Sequence, residues 1–317
     1  MNLDIVLITY NQSQYIAQTM ESILLQQFDK DIDVRVVVAD DCSIDNTLEI
    51  IKYYEKNSPF PFVYLPAEQN MGVAANYKRA FNATLADFVA VIEGDDWWCD
   101  TCRLQKHIDY LSTHTNCVLT KNQYMQYSQR DNQWKVEQSK QKILTLKNML
   151  QKYELANMSC TVFRGDKIRN MDERVYEFGD NQWREATDWY THMFVLQYGY
   201  GYVLDDVMSV YRIDTGKNIS RTVRTANDHI SKARMCYLQT LELIGQNFYN
   251  ECKQIYIDAI NCTKEDLANR RYQKWSNVFP PCLVSFGCYY LPKFWLYIKH
   301  CIWGLIPNGL YKKIRGK

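Results

Sequence analysis

Phe88-Val89-Ala90-Val91-Ile92-Glu93-Gly94-Asp95-Asp96-Trp97-Trp98 is the stretch on which the reading of the fold turns. An unbroken apolar run that ends in a glycine and a carboxylate pair describes a strand buried on both faces and stopping at a charged edge. Two earlier runs share the pattern. Val34-Arg35-Val36-Val37-Val38-Ala39 stops at Asp40-Asp41, and Leu3-Asp4-Ile5-Val6-Leu7-Ile8-Thr9 stops at Tyr10-Asn11. Phe62-Val63-Tyr64-Leu65 adds a further strand.

Between these runs the period changes from strand to helix. Ile16, Met20, Ile23, Leu24 and Phe28 recur at helical spacing behind the polar Asn11 and Ser13. A second helix opens near Asp45-Asn46-Thr47 and buries Leu48, Ile51 and Tyr54, and Val73, Tyr77, Ala80 and Phe81 mark a third. Buried strands alternating with helices predict an α/β fold with a mainly parallel central sheet, Rossmann-like in layout. Right-handed crossovers align the carboxyl ends of the strands on one edge, where such sheets bind ligands. Thr9-Tyr10-Asn11, Asp40-Asp41 and Glu93 to Asp96 are therefore the residues to examine.

Later in the chain the pattern is less regular. Residues 115–133 read as strands and turns, 140–153 as a helix, 157–164 as a strand, a helix opens at Thr187-Asp188, and 203–211 read as a strand. Residues 225–270 are helical by composition.

Composition excludes several classes. Hydrophobic residues make up 47% and charged residues 23% of 317, a globular balance. A net charge of +1 supplies no field for nucleic acid. The 11 cysteines are scattered, and Cys99-x-x-Cys102 has no second pair at zinc spacing, so free thiols in a reducing cytoplasm are expected. No leader precedes the first strand in this sequence, and no run of about twenty uncharged apolar residues occurs.

The chemistry lies in the carboxylates. Two acidic pairs follow apolar strands of one sheet, and a carboxylate pair at a strand end is costly unless a cation or several donors sit there. A hard divalent ion, magnesium or manganese, meets that need while leaving positions for phosphate oxygens. Neither GxGxxG nor GxxxxGK[ST] occurs, so a bound nucleotide would be held through a metal rather than a glycine loop.

Taken together, Ile5 to Asn11, Val38 to Thr47, Asn70-Met71-Gly72-Val73-Ala74 and Glu93 to Trp98 resemble the family 2 glycosyltransferases in motif order and spacing. The resemblance covers residues 1 to about 110 well and continues loosely to Ser220. It implies a GT-A fold, inverting transfer of a sugar from a nucleotide diphosphate, UDP above all, and a role in cell-surface polysaccharide or glycoconjugate synthesis. Thr9, Tyr10 and Asn11 would flank the nucleotide, Asp41 would bond the base with Asp40 in support, and Asn70, Gly72 and Asn76 would border the pocket. Lys78 or Arg79 would offer a nearby cation. Asp96 would ligate Mn2+ or Mg2+, and Asp95 would contact the ribose or a metal-bound water. Asp188, 92 residues beyond Asp96 at the start of a helix, would be the base that takes the acceptor proton, with Asp180 and Glu185 as alternatives. Arg212 would contact the diphosphate, in a stretch running on to Gly216 and Ser220, while His192 and His229 read as structural. A catalytically inactive nucleotide-sugar binder is the alternative reading.

The implied organisation is a catalytic domain over 1–222, split into a nucleotide-sugar half (1–115) and an acceptor half (116–222), followed by a helical region over 223–317. Within the latter, residues 279–317 combine Trp, Tyr and Leu with a basic end, Lys312-Lys313-Ile314-Arg315-Gly316-Lys317. That pattern suits a segment lying on the cytoplasmic face of a membrane, where a glycan or lipid-linked acceptor would be presented.

Overall fold

The computed structural model describes residues 1–29, 32–139, 141–146, 148–149, 157–180 and 187–215. Glu185, Gly216, Ser220 and His229 lie outside the described residues, as do the expectations for 223–317, including the segment 279–317. Among the described residues no helix is long and apolar enough to cross a membrane.

The first hundred residues follow the predicted alternation. The order is β1 (Asn2–Thr9), α1 (Ile16–Leu24), β2 (Asp33–Asp40), α2 (Thr47–Glu55), β3 (Phe62–Tyr64), α3 (Val73–Asn82), β4 (Phe88–Glu93) and the short β5 (Trp97–Trp98). Next come α4 (Arg103–Thr113), β6 (Cys117–Ser128), β7 (Gln133–Glu137), β8 (Ile143–Leu144) and β9 (Thr161–Arg164). A single turn α5 (Gly165–Ile168), α6 (Arg174–Asp180), α7 (Thr187–Val195) and β10 (Tyr200–Ile213) complete it.

All ten strands join one sheet in the order β3-β2-β1-β4-β9-β6-β10-β5, with β7 added to β6 and β8 to β10. The half built from β3, β2, β1 and β4 is parallel, as expected. The other half is mixed. β9 runs antiparallel to both β4 and β6, whereas β6 and β10 pair in parallel. Because β9 separates them, β6 and β10 point the same way as β4, so their carboxyl ends reach the same edge. Val6, Val37, Val89 and Val91 pack under α3 and α7, and Ile5, Leu7, Val36 and Ile92 pack under α1 and α4. Apolar burial on both faces accounts for the continuous hydrophobic runs.

Two expectations are corrected. Residues 143–144, placed within a helix over 140–153, are instead a strand pairing with Gly201 and Tyr202 of β10. The strand expected from 157 begins at Thr161, because Asn157 caps a short 3₁₀ turn by accepting the Cys160 N–H.

Candidate active site

Strand register decides what meets at the carboxyl edge. Thr9 pairs with Asp40 and Ile8 with Glu93, so the ends of β2, β1 and β4 lie side by side. On the β2 side, Asp41 is buried and its two carboxylate oxygens accept the N–H groups of Met71 and Gly72, both at 2.9 Å. Gly72 adopts φ 87°, a conformation that favours glycine. Asp41 thus pins the loop that carries the exposed Asn70 into α3. Asp40 accepts the Ser43 N–H at 2.9 Å and the Ser43 hydroxyl at 2.5 Å. Asn11, in the left-handed region at φ 52°, donates its N–H to Ser43 and accepts the Ile44 N–H. Tyr10 is exposed at the strand end, and Thr9 is buried with its hydroxyl on Gln12.

Asn76 lies behind this edge rather than on it. It is buried, donates to the Ala39 carbonyl at 2.8 Å and accepts from Arg79 at 2.7 Å. The Arg79 guanidinium continues to the carbonyls of Leu65, Pro66 and Asp40, so it braces the ends of β2 and β3. Lys78 pairs with Glu173 at 2.7 Å. The nearby cation that sequence placed on Lys78 or Arg79 is therefore engaged within the fold.

The end of β4 carries three carboxylates, Glu93, Asp95 and Asp96. Gly94 leaves room there for the Gln12 side chain: an added Cβ would stand 2.3 Å from Gln12 Oε1 and 2.8 Å from Thr9 Oγ1. Asp96 is 1% exposed. Its Oδ1 accepts the backbone N–H of Arg212 at 2.9 Å, while Oδ2 has no hydrogen-bond partner. Glu93 accepts the Tyr77 hydroxyl at 2.8 Å, and its N–H is held by Ser159 Oγ at 3.1 Å. Burial pushes Glu93 up to about 7, helped by the charge of Asp95. Burial likewise pushes Asp95 up to about 6, against the pull of Arg212 and Gln12. Asp96 is held well above the usual carboxylate range by burial and by the charges of Asp95 and Glu93.

Asp188, in the first turn of α7, is brought to the same cluster. Burial and the charge of Glu93 hold its carboxyl well above the usual range. The buried Tyr77 phenol feels Glu93, Asp188 and Asp96 together. His192, one turn on, is buried between the Asp188 carbonyl and Thr161, and burial lowers it to about 4, a neutral structural imidazole. Asp180 closes α6.

Arg212 enters from β10. Its Nε donates to the Asp95 carbonyl at 2.9 Å, and its terminal nitrogens reach Gln129 and Gln18, both at 2.5 Å. The guanidinium carbon stacks between the rings of Trp97 (4.6 Å) and Tyr15 (4.7 Å). Arg212 therefore spans both aspartates of the β4 motif through its own main chain and side chain.

Sequence reasoning marked Glu93 for examination without giving it a role, and it passed over Tyr77, Gln12 and Ser159 as site residues. Glu93 stands inside the quoted motif, so it carried a signal. Tyr77 had helical spacing that marks it as core, and nothing local distinguishes Ser159. Its carbonyl accepts Trp98 Nε1 at 2.8 Å and the buried Arg103 at 3.3 Å, which locks the turn beneath the carboxylates.

Comparison with known proteins bears on this geometry. The sequence model of the family described as glycosyl transferase family 2 matches residues 4–169, just over half of the chain. An uncharacterized protein of Mycobacterium tuberculosis is 37% identical over 112 residues, which cover 35% of this chain and 32% of that protein. The poly(ribitol-phosphate) beta-N-acetylglucosaminyltransferase TarS of Staphylococcus aureus is 32% identical over 98 residues, 31% of this chain and 17% of TarS. The chain thus spans about a third or less of the length of these curated relatives. A crystal structure of S. aureus TarS 1-349 in complex with UDP-GlcNAc superposes with a TM-score of 0.58 at 22% identity, covering 77% of this chain and 67% of that one. Mannosyltransferase PcManGT from Pyrobaculum calidifontis, in complex with GDP-Man and Mn2+, superposes at 0.51 with 16% identity, over 77% and 64% of the two chains. These likenesses establish the GT-A Rossmann-like fold, and with the matched motifs they carry the assignment: the chain belongs to glycosyl transferase family 2.

Proposed function

We propose that the protein is an inverting glycosyltransferase that moves a sugar from a nucleotide diphosphate, UDP in the first instance, to an acceptor hydroxyl in cell-surface polysaccharide or glycoconjugate synthesis. The observation that carries this reading is the buried Asp96, whose Oδ2 lacks any hydrogen-bond partner beside carboxylates that are all raised by burial. Such an arrangement fits a divalent cation. Among the described residues there is no ready-made cage of three or more His, Cys, Asp or Glu ligands. One carboxylate beside open positions is what a magnesium- or manganese-diphosphate unit takes. Asp96 would hold the ion, with Asp95 beside it, and the bound ion would supply charge stabilisation to the departing diphosphate.

The remaining roles fall to the chain itself. Thr9, Tyr10, Asn11, Asp40, Asp41, Asn70 and Gly72 line the side of β1 and β2 and would seat the nucleoside, with Asn76 acting through Ala39 and Arg79. Asp188 would accept the proton of the attacking hydroxyl. Its raised affinity for protons suits a base, since a carboxylate at its ordinary value would be a weak acceptor. Arg212 would add positive charge on the diphosphate side. TarS, whose name specifies transfer of N-acetylglucosamine to poly(ribitol-phosphate) and whose structure holds UDP-GlcNAc, supports a UDP-sugar donor and a polymeric acceptor. The proposed division is a catalytic domain over 1–222 and a separate helical region over 223–317, with the protein working at the cytoplasmic face of a membrane. The test is release of nucleoside diphosphate from a panel of UDP- and GDP-sugars with and without manganese. UDP release that requires the metal and vanishes in Asp96→Asn supports the reading; binding of UDP-sugars with no turnover under any condition overturns it.

A further inference from the structure

We propose that an aromatic row crossing four strands beside the carboxylate cluster is the subsite that seats a saccharide unit of the acceptor, an assignment that rests on the glycosyltransferase reading above. Strand register builds the row. Trp97 of β5 pairs with Val210 of β10, Arg212 two residues on pairs with Tyr127 of β6, and Tyr127 pairs with Trp134 of β7. Side chains directly opposite, or two residues apart along one strand, share a face. Trp97, Arg212, Tyr127 and Trp134 therefore stand on one face of the sheet. Their rings confirm it: Tyr127 and Trp134 lie 4.6 Å apart, and Trp97 lies 6.0 Å from each. The Arg212 guanidinium sits 4.6 Å from Trp97 and 5.5 Å from Tyr127.

The fold does not need this row to be aromatic at its outer end. Trp134 is 54% exposed, on a strand whose first four residues are all exposed. A large ring left in water beside a polar site calls for a ligand with apolar faces and polar edges, which a pyranose ring has. Charges on the hairpin pair off, Arg130 with Asp131 and Lys135 with Glu137, so neither sign of ligand charge is selected. Amide and hydroxyl groups nearby, including Gln129 on Arg212 and Asn132 on the Tyr127 hydroxyl, suit a sugar rim.

Position selects the acceptor over the donor nucleoside. The row belongs to β5, β10, β6 and β7, whereas the nucleoside side belongs to β1, β2 and β3, with β4 and its aspartates between them. Arg212 ties the row to those aspartates through its bonds to Asp96 and the Asp95 carbonyl. Arg212 also meets Tyr15 and Gln18 on the nucleotide side, so the diphosphate end of the row is Arg212 and its saccharide end is Tyr127 and Trp134.

The test is calorimetric titration of the full-length protein and its Trp134 variants, free of metal and nucleotide, with chitotetraose and with maltotetraose, alongside the shift of the wild-type Trp134 indole N–H resonance. Expected is saturable binding of at least one oligosaccharide that shifts this resonance, with affinity weakened about tenfold or more in Trp134→Ala and retained within about threefold in Trp134→Phe. UDP binding with manganese, measured in parallel, should be the same in all three proteins. No shift with either oligosaccharide, or equal affinity in Trp134→Ala, overturns the subsite. If the wild type seats an oligosaccharide but fails to bind any nucleoside diphosphate, the donor reading falls while the saccharide site stands.

Discussion

The backbone N–H of Arg212 donates to Asp96 Oδ1 at 2.9 Å, across 116 residues of sequence. That bond satisfies one carboxylate oxygen and leaves the other buried and unpartnered. A carboxylate held in this way has its geometry set by the fold, which is what the proposed role of Asp96 as a cation ligand calls for.

Replacing Asp96 by Asn keeps the shape and removes the charge. Transfer should fall by at least about a hundredfold, and the thermal stabilisation that manganese gives in the presence of UDP should disappear. Calorimetric titration of manganese into the UDP complex checks this, and unchanged metal affinity would count against Asp96 as the ligand.

Asp188→Asn separates chemistry from binding. The expected outcome is a loss of transfer of roughly 10²-fold or more with UDP and manganese affinity kept within a few-fold, because the base acts only as the acceptor proton leaves. Activity within a few-fold of wild type would reduce Asp188 to an acidic residue favouring the first turn of its helix.

The pH dependence of stability follows from Glu93. Its folded value, about 7, lies above its ordinary 4.5, so between those limits the folded state binds more protons than the unfolded chain. Stability of the metal-free protein should therefore fall as pH rises from about 4.5 to about 7, with Asp95 contributing in the same direction up to about 6. Urea unfolding midpoints across that range should decline in the wild type and decline less in Glu93→Gln. Added manganese and UDP should also flatten the curve.

Gly94→Ala probes the turn. The new methyl would meet Gln12 Oε1 at 2.3 Å and Thr9 Oγ1 at 2.8 Å, so the Gln12 side chain must swing aside and give up its bond to the Thr9 hydroxyl. A cost of about 1–3 kcal/mol in unfolding free energy is expected from overpacking, together with weaker UDP binding. Chemical denaturation and calorimetry measure the two effects separately.

By itself the sequence determined the parallel half of the fold and the sheet edge on which the candidate site residues stand. Ile5 to Ile8, Val36 to Ala39 and Val89 to Ile92 are apolar on both faces, and only a sheet covered on both sides satisfies that pattern. Their polar ends, Asp40-Asp41 and Glu93 to Asp96, follow from right-handed crossovers without further information. In the mixed half the strands at 115–133, 157–164 and 203–211 were legible, but their pairing and its direction were not. Thr120, Lys121, Asn122 and Gln123 are polar yet buried in β6, where other segments supply partners: His107 of α4 bonds Thr120 and Asn122, Arg103 and Ser209 bond Asn122, and Gln123 accepts the Ser139 N–H. Polar residues in such a run look like a loop until those partners are in place. The same holds at the centre of the site. Tyr77 on Glu93, Arg212 on Asp96 and Ser159 on the Glu93 N–H are contacts between segments 16, 116 and 66 residues apart. Periodicity reports which face of an element is buried, and it is silent on which distant group arrives there. Asp96 was readable as a strand-end carboxylate; only tertiary packing left one of its oxygens buried and without a partner.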